Sequence, residues 1–236
     1  MSDKPWWLRA QPRLGETGRA ALTAFQRRQY ASLAAVDAFV RDILDTLRRN
    51  DRLGDTAIIF TSDNGLLWGE HRIPRAKWAA YEESIRVPLV VRYDAILERP
   101  RRDSRLVANI DLAPTIAELG GTRAPEADGR SLVPLLKSSP TGWRRSILVE
   151  HLLSGPTRLS APIPTYCSVR TINLKYVAYS THEEELYDLE RDPYELDNRP
   201  SHPAYRGRLL ALRERLKAMC APAPPGFTTA WISTRP

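Results

Sequence analysis

At 236 residues, 42% of them hydrophobic and 27% charged, the chain carries enough apolar material for one substantial core or a core with a small appendage, which excludes disorder throughout. Lys and Arg number 35 against 28 Asp and Glu, a formal +7, but the arginine pairs Arg27-Arg28, Arg48-Arg49, Arg101-Arg102 and Arg144-Arg145 are scattered among acidic residues. They read as solvated faces, not as the concentrated basic stripe of a nucleic-acid binder, and no apolar run is long enough to cross a bilayer.

Residues 1–23 hold Pro, Gly, Trp6 and Trp7 without periodicity and predict an irregular lead-in; polar and charged residues stand where a secretory signal would need an apolar stretch. As it stands the chain reads as soluble and cytoplasmic, with secretion open if the natural start lies upstream. From Ala24 to Asn50 the residues Leu33, Val36, Val40, Ile43 and Leu47 recur every three or four positions, the stripe of a helix laid on a sheet. Ala57-Ile58-Ile59-Phe60 then predicts a buried strand and Ile85 to Arg92 a second, with Pro88 near its beginning. Asp111 can cap a short helix that carries Pro114 in its first turn and closes at Gly120. Residues 121–145 read mostly as loop.

Ser146 to Glu150 predicts another strand, and Tyr166 to Thr171 with Leu174 to Tyr179 an antiparallel hairpin turning at Ile172-Asn173. Glu185 to Leu189 adds a short edge or turn. Tyr205 to Met219 is an amphipathic helix with Leu209, Leu212 and Leu216 on one side, followed by a Pro-rich tail over 220–236. Cys167 and Cys220 can pair, but two distant cysteines do not make a disulfide framework, and Cys167 reads as a packed hydrophobe.

The chemistry gathers between the first two strands. Asp63 and Asn64 follow the apolar run, where α/β enzymes keep functional groups, and offer a carboxylate and a carboxamide as hard oxygen ligands. His71 and Lys77 add an imidazole and an ammonium. Asn64-Gly65 has a plainer reading as a tight turn, His71 as a loop cap and Lys77 as a solvated cation. Glu82 and Glu83, being adjacent, point to different sides and make poor partners for glycoside hydrolysis; they brace the loop, with Arg86 as a partner. Asp111, Asp128 and Arg130 read as capping and turn residues, and Tyr187 and Leu189 as docking the small sheet.

Seven phrases in order resemble the C-terminal half of the sulfatase family, within the alkaline-phosphatase-like superfamily. They are Phe60 to Gly65, Gly69-Glu70-His71, Lys77 with Tyr81 to Ser84, Arg86 to Leu89, Asn109 to Thr115, Asp128 to Leu132, and Glu185 to Leu189 with Asp192-Pro193. The wording is most similar to bacterial members like N-acetylglucosamine-6-sulfatases and arylsulfatases, from about residue 24 to about 218. The resemblance implies an α/β fold, part of an alkaline-phosphatase-like sandwich with a mostly parallel sheet over 24–145, and a small antiparallel subdomain over 146–219.

The same resemblance implies hydrolysis of sulfate monoesters of glycans or aryl alcohols. Asp63 and Asn64 would be calcium ligands, Lys77 would contact the sulfate or the leaving oxygen, and His71 would line the pocket. The family makes its nucleophile, formylglycine, from a cysteine in C-x-P-S-R, and no cysteine here matches; Cys167-Ser168-Val169-Arg170 lacks the proline. The reading is therefore a fragment holding the secondary half of a site, inactive alone and with weak calcium affinity. It would be completed by a complementary chain or a longer gene product, and exposed apolar faces are expected. A phosphonate or phosphate ester hydrolase and a non-catalytic subunit binding sulfated glycans stand as alternatives.

Overall fold

The computed structural model describes residues 1–97, 99–138, 140–155, 159 and 161–234; the last two residues of the expected Pro-rich tail lie outside them. Numbered along the chain, the helices are α1 (Trp6–Arg9), α2 (Glu16–Arg49), α3 (Glu82–Ile85), α4 (Leu112–Leu119), α5 (Val133–Lys137) and α6 (Arg206–Met219). The strands are β1 (Ile58–Thr61), β2 (Leu67–Trp68), β3 (Pro74–Ala76), β4 (Leu89–Arg92), β5 (Ser146–His151), β6 (Tyr166–Thr171), β7 (Leu174–Tyr179) and β8 (Glu184–Asp188). The chain divides into two compact units. One joins Met1–Leu22, Asn64–Arg86 and Arg145–Pro236; the other joins Thr23–Asp63 and Val87–Arg144.

The first unit is built on the antiparallel sheet β5-β6-β7-β8. Its hairpin turns where expected, pairing Arg170 with Lys175 around Ile172-Asn173. Alternation sends Cys167, Val169, Tyr176, Ala178 and Leu186 to one face, where Leu209, Leu212 and Leu216 of α6 cover them. The tail packs there too, through Phe227, Trp231 and Ile232. Cys167 and Cys220 form a disulfide between β6 and the residue after α6, so Cys167 is a cross-link and not simply a packed hydrophobe. The opposite face carries Tyr166, Val177, Tyr179 and Tyr187 against Trp7, Leu8, Leu67, Ile73 and Tyr81.

The lead-in, expected to be irregular, is packed and partly helical, since α1 and the first turns of α2 fall within residues 1–23. Trp7 is fully buried beside Tyr179, Asn198 donates its backbone N–H to Asp3, and Gln11 bonds the carbonyls of Trp7 and Ala161. Partners far along the sequence order a segment that has no period of its own. Trp6, by contrast, is exposed.

In the second unit β1 pairs with β4, and the pairing is antiparallel. Every ladder among the described residues is antiparallel, which corrects the expectation of a mostly parallel sheet: the connection from β1 to β4, which holds β2, β3 and the single turn α3, brings the chain back in the opposite direction. The second strand is also shorter than expected: Ile85 belongs to α3, and the ladder begins only at Leu89, after Pro88, which has no N–H to give. Neither strand is buried; Phe60 and Val90 face each other in register and are 41% and 60% exposed. Of the stripe on α2, Leu33, Val36 and Ile43 are exposed, as is neighbouring Phe39, while Val40 and Leu47 are half-buried. That departs from a helix laid on a sheet.

Asp111 stands at the start of α4, but its side chain makes no capping bond to that helix, contrary to the capping role expected. Fully buried, it accepts from the backbone of Ala108 and Arg130 and pairs both oxygens with Arg144, joining the two phrases around α4. Gly129 is required there: a Cβ would stand 2.0 Å from the Ile110 carbonyl oxygen.

Candidate functional site

Asp63 follows β1 and is exposed; its Oδ1 accepts a long bond from Ser62 Oγ at 3.4 Å. Asn64 begins the stretch 64–86, is half-buried, and donates Nδ2 to the Gly65 carbonyl at 2.9 Å. That fixes the carboxamide plane through its nitrogen, whereas a hard cation takes amide oxygen. The Asn64-Gly65 pair does not close a hairpin. Gly65 is absent from the positive-φ glycines, its N–H donates to the Ser84 carbonyl at 2.8 Å, and a Cβ on it would lie 2.0 Å from the Glu83 carbonyl oxygen. Glycine stands there because backbone meets backbone, so the plain tight-turn reading gives way to close packing against α3.

From Gly69 the chain runs through a strained stretch. Gly69, His71, Arg72 and Arg75 all take positive φ, of 112°, 52°, 62° and 56°. At His71, Arg72 and Arg75 this left-handed backbone costs roughly 1–3 kcal/mol per residue and must be held by its surroundings. The His71 side chain is 2% exposed, stacked on Tyr81 at 3.8 Å between ring centroids, with Nε2 3.9 Å from Glu83 Oε2. Burial, with the Lys4 and Lys175 ammoniums adding to it, pushes the imidazole down to about 4, so it is neutral at ordinary pH. His71 is therefore packed beneath the loop and holds its shape. Lys77, just past β3, is exposed.

Glu82 and Glu83 diverge, as adjacency requires. Glu83 turns to His71, and burial raises its carboxyl. Glu82 does not pair with Arg86; its carboxylate meets Arg170 at 2.9 Å and Lys175 at 3.2 Å. Burial opposes its charge, yet these two cations hold it below the usual carboxylate range. Lys175, fully buried, also meets Glu195 at 2.6 Å, and Glu195 Oε2 accepts the Glu82 backbone N–H. Burial pushes Glu195 up to about 7 against the pull of Lys175. Nearby, buried Glu185 accepts from the hydroxyls of Tyr81, Tyr179 and Tyr187.

Lys175, Glu195 and Glu185 escape motif reading. The one signal was alternation, since Lys175 shares its strand face with Val177 and Tyr179, which puts an ammonium inside. As for metals, Asp63 and Asn64 offer the oxygen chemistry that calcium takes but only two of its six to eight ligands. Among the described residues, Glu150, Cys167 and Cys220 cluster their donor atoms within 4.8 Å, but there the sulfurs are already joined to each other.

Two family descriptions match the chain: "Sulfatase" over residues 9–122 and "N-sulphoglucosamine sulphohydrolase, C-terminal" over residues 69–221. An N-acetylglucosamine-6-sulfatase of Bos taurus is 33% identical over 229 residues, covering 84% of this chain and 40% of its own length. A solved structure described as in complex with its substrate D-glucosamine-2-N,6-O-disulfate superposes with a TM-score of 0.76 at 28% identity, covering 83% of this chain and 41% of that one. A phosphonate monoester hydrolase of Agrobacterium radiobacter gives 0.74 at 28% identity, covering 85% and 42%. The chain thus spans about two fifths of the length of the relatives it matches.

Proposed function

The chain belongs to the sulfatase family, and from that membership we propose that it contributes the second part of a site for hydrolysing sulfate monoesters. Asp63 and Asn64 supply two calcium ligands, and Lys77 contacts the sulfate or the leaving oxygen. The observation that carries this reading is the seating of Gly65 under α3, which fixes the Asn64 amide while the following loop brings out an exposed Lys77. A bound calcium would offset negative charge on sulfate oxygens, and an ammonium would do the same for charge on the departing oxygen. His71, buried and neutral, serves by holding the loop and not by touching substrate.

A sulfated amino sugar is the substrate class, supported by the names of the bovine relative and of the complexed structure. The phosphonate hydrolase likeness favours promiscuity toward phosphonate esters as the second reading. The 236 residues contain no C-x-P-S-R phrase, so turnover by this chain requires a nucleophile from a complementary chain or a longer product. The Cys167–Cys220 disulfide supports an oxidising compartment. The test is hydrolysis of an aryl sulfate by the purified chain. No turnover above background is expected; turnover abolished by Asp63→Ala would overturn the split-site reading.

A further inference from the structure

The clamp on α3 is the feature that the sulfate chemistry leaves unused. α3 is a single turn, too short to hold itself in place. Its first residue is gripped from three directions: the Glu82 carboxylate by Arg170 of β6 and Lys175 of β7, and the Glu82 N–H by Glu195. Lys175 and Glu195 are both fully buried and bonded to each other, so the grip is rooted in the sheet. Further along α3, Ser84 O receives the Gly65 N–H, and Glu83 O lies 2.0 Å from where a Gly65 Cβ would be. Replacing a buried ion network by uncharged groups of similar size is often neutral for stability, so stability alone does not explain why charges sit here.

We infer that Lys175, with Glu82 and Glu195, is a positioning device that sets the orientation of the Asn64-Gly65 segment through α3. The inference deepens the proposed function and rests on Asn64 being a ligand only for its consequence, not for its geometry. Lys175 is the keystone, because it joins the Glu82 carboxylate of α3 to Glu195, which in turn accepts the Glu82 N–H. A defect in the sheet network is then transmitted to Asn64 through the backbone of α3 and the hydrogen bond from the Gly65 N–H to Ser84 O.

Amide hydrogen exchange on the 236-residue chain tests this, reading the Gly65 N–H relative to the N–H groups of β6 and β7. Lys175→Met, and the uncharged triple variant Lys175→Met, Glu82→Gln, Glu195→Gln, are expected to speed Gly65 exchange about tenfold relative to the strands. Val169→Ala, on the other face of the sheet, destabilises the unit without touching the clamp and leaves that ratio at its native value. An unchanged ratio in the triple variant overturns the inference, as does an equal change in Val169→Ala. Terbium titration separates the two readings. Where the native chain binds terbium, Lys175→Met weakens it several-fold; where it binds none, the ligand reading fails while the exchange ratio still decides the clamp.

Discussion

Replacing Gly65 by alanine puts a methyl carbon 2.0 Å from Glu83 O, 2.9 Å from Glu83 C and 3.2 Å from Ser84 C. Non-bonded carbons sit about 3.5–4.0 Å apart, so α3 or the segment before it must move by more than about 1 Å. All three obstacles are backbone atoms, and none can swing aside. Overpacking of this kind costs about 1–3 kcal/mol, and the move also breaks the Gly65 to Ser84 hydrogen bond, worth about 1 kcal/mol. The lower backbone entropy of alanine in the unfolded chain returns about 0.4–1 kcal/mol. A net loss of about 2–3 kcal/mol is expected. Gly207→Ala makes the matched control: the glycine lies in α6, nothing stands within 4 Å of its Cβ, and a gain of up to about 1 kcal/mol is expected. Urea unfolding followed by tryptophan fluorescence reads both. Gly65→Ala within about 0.5 kcal/mol of the native protein would refute the close-packing argument.

Acidity separates two buried groups. His71, lowered from 6.5 to about 4, contributes stability that is complete above pH 6.5 and is lost as pH falls toward 4. Glu195, raised from 4.5 to about 7, contributes stability that is complete below pH 4.5 and is lost as pH rises through 7. From pH 6.5 down to 4.5, Glu195→Gln is therefore expected to lose stability relative to His71→Gln; parallel profiles would contradict both assignments. Separately, Cys220→Ala removes a cross-link closing 53 residues of chain and is expected to cost about 2–4 kcal/mol in thermal or urea unfolding, whereas no change would mean the pairing does not form.

The C-terminal sheet was legible because its signals are local: alternation over 166–179, a turn at Ile172-Asn173 and a leucine stripe on α6. The stripe on α2 was equally legible as a helix, but periodicity says nothing about what covers it, and here solvent does. Strand direction was lost for a related reason. An apolar run names a strand, while its partner depends on the path between, and β1 meets β4 without a crossover. Around the candidate site, motif order pointed to Asp63, Asn64, His71 and Lys77, yet burial and neutrality of His71 follow from Tyr81 and from cations distant in sequence. The clamp of Lys175 on Glu82 and Glu195 spans more than 90 residues on one side, so only the fold brings it together.

Titration with terbium, in competition with calcium, tests the ligand pair most directly. The account predicts saturable but weak binding, of order millimolar as for a site short of donors, lost on Asp63→Ala and on Asn64→Ala while Glu150→Ala leaves it unchanged. Binding that survives both substitutions would contradict it.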